Sequence, residues 1–99
     1  MKVTNGGIAF DINECVNNAF TIISSLYYLE THNLEKNIED WAKSCDVEKD
    51  IAEEVKKLGR EGIDNIKTGK TRKGIENFDR IRDIIVSETW EKVREVLEE

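Results

Sequence analysis

The sequence predicts an all-α fold: a small antiparallel bundle of three or four helices over residues 11–99, with a short irregular arm over residues 1–10. Three observations predict it. Proline is absent from all 99 residues, which removes the strongest helix breaker. From Ile12 onward, apolar residues recur at steps of three and four, the pattern of one buried helical face. The clearest turn signal, Thr68-Gly69-Lys70-Thr71, sets a glycine after one such stretch and a threonine before the next.

The elements follow in chain order. Residues 1–10 carry no helical period; Val3, Asn5-Gly6-Gly7, Ile8 and Phe10 suit either a small hairpin or a loose arm. Asp11 is placed to cap helix one, with Glu14 three residues on as in a capping box. Its stripe reads Ile12, Val16, Ala19, Ile23 and Leu26, widened by Phe20, Ile22, Tyr27 and Leu29, and it is expected to stop near Thr31-His32-Asn33. Helix two reads Leu34, Ile38, Trp41, Ala42 and Cys45 behind Asn33 as cap. A bend is expected near 44–46, where Ser44 or Asp46 would cap helix three. That helix reads Val47, Ile51, Val55, Leu58, Gly62 and Ile66; Gly59 and Gly62 weaken it by about 1 kcal/mol each relative to alanine and suit close helix–helix approach. In helix four, capped by Thr71, Ile75, Phe78, Ile81 and Ile85 share one face, and Val86, Trp90, Val93 and Leu97 form a rotated second stripe. Either this helix bends near Ser87-Glu88, or it stays long and is covered on two sides.

Composition bounds the function. Hydrophobic residues make up 38%, charged residues 36%, and mean hydropathy is −0.56. Such a chain is one soluble domain by size and polarity. The apolar stretch 19–29 is about eleven residues, too short to span a bilayer, and Asp11 and Glu14 ahead of it do not suit a leader. Fifteen basic residues oppose 21 acidic ones, a net charge of −6, so the overall field disfavours nucleic acid and anionic lipid. Charge is unevenly placed. Residues 28–54 hold nine acids and three lysines, whereas 67–73 hold Lys67, Lys70, Arg72 and Lys73 with no acid. Cys15 and Cys45 stand alone, without Cys-x-x-Cys spacing. Free thiols packed in a reducing cytoplasm are the expected state, with a bridge between the first two helices as the alternative.

No pattern names a chemistry, so neither catalysis, a metal nor a cofactor is expected. His32, the one histidine, lies in a turn, and no local pattern sets it beside both a nucleophile and an orienting carboxylate. The Glu-x-x-His spacing of carboxylate-bridged metal bundles is missing. Gly69-Lys70-Thr71 matches the tail of a phosphate-binding P-loop, but Asp64 stands where its first glycine belongs and a helix precedes it. Gly62, Gly69, Gly74 and Phe78 resemble the small-residue and Phe positions of a tetratricopeptide hairpin over roughly 20 residues. The pattern departs at Leu58, Glu61 and Asn65, so the resemblance implies no more than a helical hairpin used for binding.

The function these features favour is a non-catalytic protein–protein interaction module, adaptor or regulator, pairing with another protein or with a second copy of itself and not with a membrane. Its expected contacts are the amphipathic Tyr28, Trp41 and Trp90 and the acids Glu35, Glu39 and Asp40. The alternative is a phosphate or nucleic-acid ligand held by the basic turn Lys67, Lys70, Arg72 and Lys73.

Overall fold

Asp11 turns the chain from strand into helix. The computed structural model describes residues 2–5 and 8–98, in the order β1 (Lys2–Asn5), β2 (Ile8–Asp11), α1 (Ile12–Tyr27), α2 (Leu34–Ser44), α3 (Lys49–Lys67) and α4 (Thr71–Glu98). Asp11 Oδ1 accepts the Glu14 amide at 3.2 Å, which satisfies one of the orphan donors of the first turn. β1 and β2 pair antiparallel, Lys2 opposite Asp11 and Asn5 opposite Ile8. The arm is therefore a regular ribbon, not irregular; the Gly6-Gly7 part of the turn expected to join its strands lies outside the described residues.

The helix ends share one chemistry. After α1, Glu30 N–H donates to Ser25 C=O at 2.8 Å and Leu29 N–H to Leu26 C=O at 3.3 Å. After α2, Val47 donates to Ala42 and Asp46 to Lys43; after α3, Lys70 donates to Asn65 and Gly69 to Ile66. Each is a Schellman closure, which needs a residue in the left-handed region. Those residues are Leu29 (φ 59°), Asp46 (φ 52°) and Gly69 (φ 84°). Glycine signalled only the third; the closures at Leu29 and Asp46 end α1 before Thr31 and set α2 and α3 apart as separate helices. The expected caps of α2 and α3 also differ. Asn33 precedes α2 without a side-chain hydrogen bond to it, and Glu48, rather than Ser44 or Asp46, precedes α3.

In the bundle α1 packs on α2 and α4, and α3 on α2 and α4. One apolar core joins all four: Cys15, Ala19, Ile22 and Leu26 from α1, Leu34, Ile38, Trp41 and Cys45 from α2 and the turn after it, Val55 from α3, and Phe78, Ile81 and Ile85 from α4. Two stripes are rotated from their expected settings. On α1, Cys15 and Ile22 point inward, which leaves Val16 and Ile23 half-buried and Phe20 outside. On α4 the buried line runs Gly74, Phe78, Ile81, Ile85, Thr89 and Val93, so Ile75, Val86, Trp90 and Leu97 are exposed. α4 is one helix of 28 residues, about 42 Å long, and sets the long dimension of a 46 × 21 × 18 Å molecule. No bend divides it.

Glycine lets α3 and α4 close tightly. A Cβ on Gly62 would lie 2.6 Å from Phe78 Cε1, and one on Gly74 would lie 2.6 Å from Ile66 Cγ1 and 3.0 Å from Gly62 O. Close approach is thus why glycine tolerates its helix-propensity penalty here.

The cysteines correct the expectation of free thiols. Cys15 and Cys45 form a disulfide with Cα atoms 5.0 Å apart and a sequence separation of 30, and both are fully buried. Closing a loop of that size removes unfolded-state entropy worth about 3–4 kcal/mol. The Cys15→Ser/Cys45→Ser double variant should lose about that much stability in urea unfolding of the oxidised protein. A second expected outcome concerns α1. Left-handed backbone costs a non-glycine residue about 1–2 kcal/mol, and Leu29 is exposed, so it gives up little burial on removal. Leu29→Gly should raise the unfolding free energy by about 1 kcal/mol in the same experiment.

Candidate docking face

From Cys15 to Leu29 the chain carries no charged side chain, although 36% of all residues are charged. In α1 that run is not hidden. Its inward line is buried, but Asn17, Phe20, Thr21, Ser24 and Tyr27 are exposed. Phe20 is 64% exposed, and Trp90 beside it on α4 is 60% exposed. Between them runs a groove of about 340 Å³ lined by Val16, Ala19, Phe20, Ile23, Val86, Thr89, Trp90 and Val93. Its one hydroxyl, Thr89 Oγ1, accepts the indole N–H of Trp41 at 2.9 Å, so the groove floor already has its polar group engaged. An uncharged, aromatic-flanked apolar surface is the composition expected of an interface core.

A second hollow, of about 610 Å³, lies across Phe20. It is lined by Asn17, Thr21, Ser24, Tyr28, Glu30, His32, Asn33 and Asn37 together with Phe20 and Ser25. Much of its wall is committed locally: Thr21 Oγ1 donates to Asn17 C=O and Ser25 Oγ to Ile22 C=O. Tyr28 stands 78% exposed at its edge. Tyr27, next along the chain, leaves this hollow and meets α4. Its hydroxyl donates to Asp79 Oδ1 at 3.0 Å and accepts from Arg82 Nη1 at 2.6 Å.

The expected contact residues separate on the structure. Trp41 must be withdrawn: it is fully buried in the core and its N–H is bonded to Thr89, so no partner reaches it. Glu35 pairs with Arg60, and Glu39 pairs with Lys56 at 3.0 Å. These pairs stitch α2 to α3. The Lys56 hydrogen bond holds the Glu39 carboxyl below its usual range, and the same bond raises the Lys56 ammonium. Asp40 is exposed, and its backbone carbonyl accepts from Asn18 Nδ2 at 3.4 Å. Tyr28 and Trp90 are open to a partner, but on different hollows. Lys67, Lys70, Arg72 and Lys73 are all exposed around the α3–α4 turn, and none of them is ion-paired among the described residues. Phe20 was missed as a contact residue because it reads as widening the stripe of helix one, and Val86 because the rotated second stripe of helix four singles out only its Trp by type. The charge-free run around Phe20 was the signal that marks the face. Among the described residues no group of three or more metal-binding side chains converges, and no helix is long and apolar enough to cross a membrane.

Tyr27 gives this region a pH signature. Partial loss of water, and then donation to Asp79, hold its phenol above the ordinary value, while Arg82 pulls the other way. A raised folded-state pKa contributes stability that is present below the ordinary phenol pKa of about 10 and is lost as pH rises through the folded value. Tyr27→Phe should remove one tyrosinate transition above that range in an ultraviolet difference titration, and should lessen the alkaline loss of stability. Comparison with protein-family models, with curated proteins and with solved structures finds no match.

Proposed function

We propose that the chain is a non-catalytic interaction module that binds a polypeptide through the α1–α4 face centred on Phe20 and Trp90. The observation that carries this reading is the exposed uncharged face of α1, in a chain whose other helices are charged throughout. Burying charge at an interface is costly, so an exposed helix face without charge has the least to lose on docking. Two aromatic side chains beside an apolar groove supply the anchors that dominate binding energy in such contacts. Acidic Glu35 and Glu39, which already bridge α2 to α3, are rim groups at most in this reading.

A second reading draws on the four cations of the basic turn, none of them ion-paired among the described residues. They surround the start of α4, where the free amides of a helix N-terminus favour an anion. The ligand would be a phosphate-bearing molecule. The expectation of a cytoplasmic chain rested on free thiols, on a start unlike a leader and on an apolar stretch too short for a bilayer; with Cys15 and Cys45 bonded the first of these no longer supports it, and an oxidising compartment suits the pair better.

Site-specific photo-crosslinking in producing cells tests the main reading. With p-benzoylphenylalanine in place of Phe20, a discrete polypeptide adduct should form. The same label at Lys70 should not give that adduct, and Trp90→Ala should weaken the contact by about 2 kcal/mol, roughly 30-fold. An adduct from Lys70 alone, or none from position 20, would overturn it.

A further inference from the structure

The occupant of this face can be inferred from charge. The chain carries a net charge of −6, so two copies repel, and faces built from α2 or α3 bring carboxylates against carboxylates. The α1 face is different. Cys15 to Leu29 hold no charge, so turning this face onto itself opposes no like charges. On the adjoining part of α4 opposite charges are mixed: Arg82 sits 3.0 Å from Asp83 and 3.6 Å from Asp79, and Arg94 sits 3.6 Å from Glu91, which leaves an excess of only one negative charge.

We propose that a second copy of the same chain docks here, forming a two-fold dimer in which Phe20 and Trp90 of each copy enter the other copy's groove between α1 and α4. The reading rests on the interaction module argued above and names its partner. A two-fold interface requires a surface that is complementary to itself. Knob and hole adjoin on this one: the exposed Phe20 and Trp90 rings line the same hollow as the buried Ala19, Thr89 and Val93, so a half-turn can set ring against hollow on both sides. The flanking Asn17, Thr21 and Ser24 bring donors and acceptors alike, and each can pair with the same residue types in the other copy. Size suits a weak dimer. α1 has 16 residues, about 24 Å, and a strip two helices wide adds about 20 Å, roughly 480 Å² in projection. That is below the ~800 Å² each partner gives a standard interface and falls in the range of weak, concentration-dependent association.

Sedimentation equilibrium of the whole oxidised chain, from low micromolar to millimolar, is the test. The expected mass rises from 11.4 kDa to twice that value. Phe20→Asp and Trp90→Asp should each weaken the dimer more than ~100-fold, because every substitution enters a two-fold interface twice. Phe20→Leu should retain it, and Lys70→Glu should leave it unchanged. Both rings are exposed, so the helical circular dichroism of the variants should match that of the parent. Independently of any variant, acrylamide quenching of Trp90 should fall as the unaltered protein is concentrated. A mass of 11.4 kDa at all concentrations, or a dimer indifferent to Phe20→Asp and Trp90→Asp, overturns the proposal. If that monomer still crosslinks another polypeptide from position 20, the interaction reading survives without the dimer; if it crosslinks nothing, both fall.

Discussion

The rotational setting of α1 governs the molecule. Cys15 is bonded to Cys45, so that side of α1 must face α2. The 3.6-residue repeat then decides everything else on the helix. Ile22 and Leu26 fall into the core with Ala19, while Val16 and Ile23 come to its edge. Phe20 is left pointing at solvent. A turn of about 100°, one residue's worth, would have buried Phe20 and exposed Cys15. The groove is thus a consequence of how one helix is pinned, not of a missing side chain.

Trp41 secures the opposite wall. Its ring is among the largest fully buried side chains, and a buried indole N–H without an acceptor would be costly. Thr89 supplies that acceptor from α4, which fixes α4's rotation against α2. With Thr89 turned inward, Val86 and Trp90 lie on the outer side of the same helix. Two inward-facing contacts, one covalent and one polar, therefore place the apolar outer faces of α1 and α4 side by side. The ion pairs from α2 to α3 are exposed and weak by comparison.

Much of this was legible in the residues. The absence of proline, the steps of three and four, and the Asp11 and Gly69 signals gave a bundle of three or four helices, of which the structure has four. What escaped was rotation and termination. Apolar residues on α1 and α4 cover more than half a turn, so periodicity alone could not say which edge faces inward. A Leu or Asp in the left-handed region leaves no mark comparable to glycine, which hid the ends at Leu29 and Asp46. Trp41 was read as a contact because its amphipathic ring suits interfaces; its partner, Thr89, lies 48 residues away, beyond any local pattern. The site was half legible: Trp90 was named from its type, whereas Phe20 was assigned to the interior.

That long separation has a consequence for synthesis. On the ribosome, Cys15 and Cys45 both emerge well before α4, so the first two helices can be joined while half of the core's wall is still unmade. Trp41 then waits on a nascent hairpin until Thr89 leaves the exit tunnel. Final closure belongs to the last helix made, and the growing chain must be shielded until it arrives.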